Sequence, residues 1–308
     1  MFFATRLDAL ERLVMAVGHL AIVTDLTLAD WVGGGTLVND YFAAQARANG
    51  WQVSFICNTR FIDGWQAFDH SKVDAYFVAN IPHLPASCLL QMIQSSKPYV
   101  MFRHDIASLC YEPEPNRNSL APLIQALFAH ARANFFISSL QLSYYQRVCE
   151  VPRSILVPPP LDLSKFENQN DPLRRGHLYL GEISRPRGVD ESILAMLQSS
   201  EPGERLLVGQ LTDEALLPSI QASGAVLRDH VSHNLVPTLL NQYAHFYYHP
   251  RIVDAFCLKV LEAELCGMEL HVRREHIGRF YYRESAFEIA EFMRKESARV
   301  TLNVLASG

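Results

Sequence analysis

Charge is scarce in this chain: Asp, Glu, Lys and Arg together make up 19% of the 308 residues, against 49% hydrophobic side chains. So much apolar and so little charged side chain excludes a disordered chain and provides for a packed core. Basic runs are missing and the formal net charge is −5, so the clustered Lys and Arg that nucleic-acid phosphates require are not there. No stretch approaches the roughly 20 apolar residues that span a bilayer. The amino-terminal segment is expected not to be a signal peptide, because Asp8, Glu11 and Arg12 interrupt its apolar run. None of the six cysteines (Cys57, Cys88, Cys110, Cys149, Cys257, Cys266) forms a CxxC pair. Several lie in apolar runs, where cysteine acts as a small hydrophobe; this pattern fits a reducing compartment without structural disulfides. The expectation is a cytoplasmic protein, with peripheral contact at the inner face of a membrane left open. A GxGxxG fingerprint is also lacking, and no acidic residue ends the second strand, which argues against a dinucleotide.

What the chain does contain is an alternation of short apolar runs and helical patterns, the signature of a parallel α/β sheet. His19–Thr24 reads as a buried strand, followed by a turn with Gly33, Gly34 and Gly35. Leu37, Val38, Tyr41, Phe42, Ala44 and Ala48 then recur at helical spacing, with Gly50 at the helix end and Trp51–Cys57 as the next strand. Further strands are expected at Ala75–Val78, Tyr99–Phe102, Asn134–Ile137 and Ser154–Val157, with a helix over Leu120–Ala131. Pro158–Asp162 (PPPLD) interrupts this rhythm and marks a domain boundary. Beyond it, strands are expected at His177–Leu180, Arg205–Val208, Ala225–Leu227, Ala244–Tyr248 and Glu269–Val272. Helices are expected through Ser192–Leu197, Asp213–Ala222 and Val260–Leu265, and from Ser285, which forms a capping box with Glu288. The division is therefore 1–160 for a first Rossmann-like domain, 161–280 for a second and 281–308 for a closing helix that can pack back on the first.

Ligands of open parallel sheets bind beyond the carboxyl ends of the strands, so the loops Gly33–Thr36, Gly181–Gly188 and His249–Phe256 are the places for chemistry. The second reads GEISRPRG, with Arg185 and Arg187 before a helix N-terminus, a combination suited to a phosphate. Alone, a solvated turn with two surface arginines is the simpler account. The third loop leads into DAFCLKVLEAELCG, where Asp254 stands at the start of the expected helix and Glu262 follows eight residues later, two turns along the same face. Two such carboxylates can grip sugar hydroxyls. The competing account makes Asp254 a helix N-cap, which Asp favours, and puts Glu262 in a salt bridge. That account is weaker for Glu262, flanked by Val260, Leu261, Ala263 and Leu265. His104 follows the strand YVMF at a strand end. His245 and His249 bracket a strand instead of sharing a helix face, so no metal is expected from them, nor from His230 and His233.

Taken in order, LVPPPLDLSKF (Leu156–Phe166), LYLGEISRPRGVD (Leu178–Asp190), LLVGQ (Leu206–Gln210) and DAFCLKVLEAELCG (Asp254–Gly267) resemble the GT-B glycosyltransferases, in particular the large retaining family with an E-x7-E motif, the glycosyltransferase family 4 type. The first half is similar too, in its triple-glycine turn, KPYVMFRHD around His104, and FFISS before the hinge. The resemblance implies two Rossmann-type domains with parallel sheets facing across a cleft, a nucleotide-diphosphate sugar held mainly by the second domain, and transfer with retention and without metal. His104 and Asp254 are implied as catalytic. Gly33, Gly34, Gly35, Gly181, Arg185, Arg187, Phe256, Cys257 and Glu262 are implied to bind the donor, with Asp254 on the sugar, Glu262 on the ribose and Arg187 where a lysine usually meets the diphosphate. No cofactor is expected beyond the donor. The acceptor would be a glycan, a lipid-linked sugar or a small molecule.

Three departures stand out: Asp254 replaces the first Glu, Arg187 replaces the lysine, and Glu182 occupies a position where an arginine commonly contacts phosphate. They motivate the alternative of a GT-B nucleotide-sugar-binding or assembly protein without turnover. A sugar-nucleotide epimerase is a third possibility, which the Asp254–Glu262 spacing fits less well.

Overall fold

The computed structural model describes residues 18–30, 32–57, 69–81, 84, 86–106 and 114–307. Asp8, Glu11, Arg12 and Cys110 lie outside the described residues. The chain divides into two compact units: residues up to Asp162 together with the segment from Glu291 onward, and Leu163–Ala290.

The first unit is built on β1 (Gly18–Val23), β2 (Trp51–Ile56), β3 (Ala75–Val78), β4 (Tyr99–Arg103), β5 (Ala133–Phe136) and β6 (Ser154–Leu156). All neighbours are parallel, in the order β2-β1-β3-β4-β5-β6. Strands β3, β4 and β5 are buried on both faces, as a sheet covered by crossover helices requires, and their polar members Arg103 and Asn134 are buried and hydrogen-bonded to the carbonyls of Ala79 and Phe128. Helix α1 (Gly34–Ala48) buries Val38, Phe42, Ala43 and Ala46, one face at the 3.6-residue period. Phe42 stacks on Phe77 with ring centroids 4.0 Å apart, and Phe77, Phe102 and Phe135 continue an aromatic row across the sheet. Helices α2 (Ala86–Gln94), α3 (Glu114–His130) and α4 (Ser139–Gln146) connect β3 to β4, β4 to β5 and β5 to β6. The carboxyl-terminal segment belongs here as well: the Tyr41 hydroxyl donates to the Arg294 carbonyl at 3.0 Å, and Arg132 donates to the carbonyls of Leu305 and Ser307 at 2.8 and 2.7 Å.

The second unit carries β7 (His177–Leu180), β8 (Arg205–Val208), β9 (Val226–Arg228), β10 (His245–Tyr248) and β11 (Glu269–Val272), all parallel in the order β11-β10-β7-β8-β9. Its helices are α5 (Val189–Gln198), α6 (Leu217–Ala222), α7 (Val236–Gln242), α8 (Leu258–Leu265) and α9 (Ala286–Phe292). A π-helical turn, Met293–Ser297, joins α9 to the last helix, α10 (Ala298–Ala306). The capping box at the start of α9 is formed: the Ser285 amide donates to the Glu288 carboxylate at 2.9 Å, and the Glu288 amide to the Ser285 hydroxyl at 3.3 Å.

Two local expectations are corrected. The triple glycine is not a loop of three residues; only Gly33 precedes the helix, and Gly34 and Gly35 lie in its first turn. The hydroxyl of Thr36 accepts from the Gly33 amide at 3.0 Å, which starts the helix earlier than the apolar spacing suggested. Asp254 is not the N-cap of α8; that position is Cys257, in a left-handed conformation with φ 68°. The helix-face argument relating Asp254 to Glu262 therefore does not apply.

Candidate functional site

In each sheet the strand order reverses once. In the second unit β7, β8 and β9 run outward on one side, and β10 and β11 on the other. The connections leaving β7 and β10 therefore part in opposite directions and open a crevice at the strands' carboxyl ends, where ligands of such sheets bind. Gly181 and Glu182 follow β7; Tyr248 ends β10, and the segment to Asp254 follows it.

The residues meeting there form a compact ionic group. Arg187 lies 3.5 Å from the Glu182 carboxylate and 3.8 Å from that of Asp254. The Tyr248 hydroxyl donates to Asp254 Oδ2 at 3.1 Å, and the Thr212 hydroxyl to Glu182 Oε1 at 2.9 Å. Burial works against the Arg187 charge, but Tyr248, Asp254 and Glu182 outweigh it and hold the guanidinium protonated. Glu182 is held below the usual carboxylate range, because the Thr212 and Arg187 contacts overcome its partial burial. Lys259, in the first turn of α8, completes the group. Its Nζ lies 3.8 Å from the centroid of the Tyr248 ring and faces Gly181, where an added Cβ would sit 2.5 Å away. Burial lowers its pKa, and Arg187 adds to the effect.

Backbone geometry makes this closeness possible. Gly188 caps α5 at φ 69°, and a Cβ there would lie 1.6 Å from the His249 carbonyl oxygen, so the two loops touch only because the residue is glycine. Neither α5 nor α8 has a side chain capping its first amides. The first turn of α5 carries Asp190 and Glu191, which pair with Arg251, and the Val260 amide of α8 donates to the Cys257 carbonyl at 3.1 Å; the positive charge beside Gly181 is therefore that of Arg187 and Lys259. Tyr179 steadies the first loop by donating to the Glu182 carbonyl at 2.8 Å.

The remaining expected donor residues are distributed differently. Arg185 pairs with Asp213 at 3.6 Å, away from the Arg187 group. Phe256 packs edge-on against Tyr282, and both Phe256 and Cys257 are buried, with the Phe256 amide donating to Asp254 Oδ1 at 3.4 Å and its carbonyl accepting from the Arg279 amide. Glu262 is 4% exposed and engaged with His233, whose Nε2 lies 3.0 Å from Oε1; Lys165 Nζ is 3.2 Å from the other ring nitrogen. Sequence reasoning set His233 aside, and nothing local to it signalled this partnership 29 residues away. Lys259 and Tyr248 were missed too, although Lys259 stands inside the very stretch singled out for its carboxylates.

A second polar group marks the reversal point of the first sheet, between β1 and β3. His104 Nε2 lies 2.7 Å from Asn39 Oδ1, while Asn39 Nδ2 donates to the Thr24 hydroxyl at 3.2 Å. Burial and the neighbouring Arg103 push the His104 pKa down to about 3, so the ring is neutral, with its Nε2 hydrogen given to Asn39. Gly35 sits against it: a Cβ there would lie 3.5 Å from His104 and 3.2 Å from Asn80. The side-chain oxygen of Asn80 is buried and has no hydrogen-bond partner among the described residues, and a buried acceptor left so calls for a donor from a ligand or water. Asn80 was not foreseen either.

No protein-family model and no curated protein matches this chain. Solved structures do. HepE of Anabaena in complex with UDP-glucose superposes with a TM-score of 0.65 at 13% identity, over 94% of this chain and 93% of that one. The lipopolysaccharide outer core galactosyltransferase WaaB is similar at a TM-score of 0.59 and 11% identity, over 93% and 98%. A glycosyltransferase involved in avilamycin A biosynthesis gives 0.57 and 11%, over 94% and 98%. The chain has the α/β fold of the GT-B glycosyltransferases, with two parallel sheets.

Proposed function

We propose that this protein transfers a sugar from a nucleotide-diphosphate donor to a glycan, lipid-linked or small acceptor, with retention of configuration and without a metal at the reacting centre. The observation that carries the reading is the pair of cations Arg187 and Lys259 beside Gly181. A leaving diphosphate gains negative charge in the transition state, and cations already in position stabilise it without reorganising. These groups supply the charge compensation that a divalent ion gives in other transferases. Asp254, held by Tyr248 and Arg187, is assigned to the donor sugar, and Glu262, oriented by His233, to the ribose hydroxyls. His104 is neutral, its Nε2 hydrogen committed to Asn39; its Nδ1 is left as an acceptor for a sugar hydroxyl. Because HepE is found with UDP-glucose, a UDP-hexose is the first donor to try.

The test combines calorimetry with UDP-glucose and a transfer assay run in chelator. Arg187→Ala, Lys259→Met and Glu262→Ala are each expected to weaken donor binding about tenfold or more, the scale of a lost hydrogen bond to a charged group, while circular dichroism stays unchanged. Unaltered affinity in all three would refute the reading.

One observation favours a second reading, a donor-binding protein of the same fold without turnover. Glu182 and Asp254 both occupy Arg187, so a diphosphate must displace a carboxylate to reach it. Tight donor binding with neither transfer nor slow hydrolysis across a panel of nucleotide sugars would establish that alternative.

A further inference from the structure

At the amino-terminal end of the second sheet, opposite to the donor group, three metal-ligating side chains meet. Strand β11 is the edge strand and pairs only with β10, in a register that sets His245 against Glu269 and Tyr247 against His271. Side chains two apart share a sheet face, so Glu269 and His271 project beside His245. His245 Nδ1 lies 3.2 Å from His271 Nε2 and 3.4 Å from Glu269 Oε2, and His271 Nε2 lies 3.4 Å from Glu269 Oε1.

These separations carry chemical information. Zinc binds imidazole nitrogen and carboxylate oxygen at about 2.0–2.2 Å in tetrahedral geometry, which places ligand atoms about 3.3 Å apart. Two imidazoles and one carboxylate are a ligand set zinc accepts, with water in the fourth position. The rings are also held from behind. Tyr247 stacks on His271 at 4.5 Å and 8°, and His177 stacks on His245 at 5.3 Å and 20°. His177 has its own nitrogens occupied by the Tyr247 hydroxyl and the Glu201 carbonyl, both at 3.0 Å, so it supports the site without joining it. His245 is 12% exposed, while Glu269 is 65% exposed and gives an ion a way in.

We propose that His245, Glu269 and His271 form a binding site for a divalent transition metal of the zinc class, which clamps the edge strand β11 to β10. The site departs from the sequence expectation of a metal-free chain, in which His245 had been weighed only with His249. The actual partners come from the next strand, and His249 instead faces Ser192 at 3.2 Å. Lying at the far end of β10 from Tyr248, the ion takes no part in sugar transfer, so this inference stands or falls independently of the proposed activity.

The experiment uses untagged full-length chain, stripped with chelator and dialysed, then titrated with Zn2+ by calorimetry and with Co2+ by visible absorption. The expected result is one ion per chain, a four-coordinate Co2+ spectrum, and a melting temperature that rises with Zn2+ concentration, since a ligand of the folded state alone stabilises it. Glu269→Gln keeps the shape of an exposed side chain, and His271→Phe keeps the ring stacked on Tyr247. Each should weaken binding at least about tenfold, as even the loss of an outer-shell partner commonly does, with UDP-glucose affinity unchanged. His230→Ala, at an exposed histidine elsewhere in the unit, should bind as the parent does. Absence of stoichiometric binding, or full affinity retained in both Glu269→Gln and His271→Phe, would overturn the proposal.

Discussion

If Arg187 is the handle for a donor diphosphate, Glu182 competes with the ligand, and Glu182→Gln should tighten binding. The glutamine keeps the oxygen that accepts from Thr212 and removes one negative charge 3.5 Å from the guanidinium. A phosphate seated on Arg187 would stand about 5 Å from the carboxylate, where unit charges repel by about 3 kcal/mol at an effective dielectric of 20 and about 0.8 kcal/mol in water. The Glu182 side chain is 41% exposed, so solvent screening places the effect near the lower figure, at about 1 kcal/mol. That corresponds to roughly a fivefold lower Kd. Calorimetry with UDP-glucose reads it directly, at low and at high salt, and the gain should shrink as salt screens the exposed charge. A fivefold or greater loss of affinity would mean that Glu182 binds the donor instead of opposing it. An unchanged affinity would mean that the phosphate does not sit on Arg187. Either result refutes the electrostatic reasoning.

Two further perturbations follow from the geometry. Gly181→Ala forces a side chain into a φ of +134° and to within 2.5 Å of Lys259 Nζ; a loss of about 1–3 kcal/mol in urea denaturation is expected, together with weaker donor binding as Lys259 is displaced, and unchanged stability and binding would contradict the packing described. His104 should make the protein acid-sensitive: its folded pKa of about 3 lies below the unfolded value near 6.5, so the unfolded state takes up the extra proton, and stability is complete above about pH 6.5 and falls on acidification toward pH 3, by at most about 1.4 kcal/mol per pH unit from this group. The stability of the parent relative to His104→Gln should therefore decline from pH 7 to pH 4, and a constant difference would count against a neutral, buried ring.

The elements that could be read from the sequence are those whose burial leaves a period. Ala75–Val78, His177–Leu180, Arg205–Val208 and Glu269–Val272 are strands at the expected bounds; in the first three a buried apolar run makes the strand legible, whereas the last is a partly exposed edge strand. One crossover helix had no such mark. Helix α4 buries only Leu140, Gln141 and Tyr145 and has little amphipathy, yet Ser138 accepts from the Gln141 amide and Gln141 accepts from the Ile137 amide; the S-x-x-Q spacing of a capping box was the available signal. In the candidate site, Arg187 and Asp254 could be named because each belongs to a loop at a strand's carboxyl end. The contact of Arg187 with Glu182 could not be read, since i, i+5 neighbours in a loop have no fixed geometry. Tyr248, His233 and Asn80 depend on tertiary contacts that no local pattern encodes.

The Asp254–Glu262 spacing owes its meaning to a different device from helical periodicity. Asp254 is held by backbone pairing with the segment after β11: its amide donates to the His276 carbonyl at 2.8 Å, and the Gly278 amide donates to its own carbonyl at 2.9 Å. Two residues on, the Arg279 amide donates to the Phe256 carbonyl at 3.0 Å. This short parallel bridge fixes the loop before the helix begins, and the left-handed Cys257 then turns the chain into α8. A non-glycine residue in that conformation costs free energy that the surrounding structure must repay, and buried Phe256 and Cys257 provide the packing that does so. The result is a carboxylate placed by a bridge on one side and a lysine placed by a helix turn on the other, facing the same loop after β7. Eight residues of separation thus divide between a pinned loop and a helix, and a reading that lays both carboxylates along one helix misplaces Asp254 while overlooking Lys259.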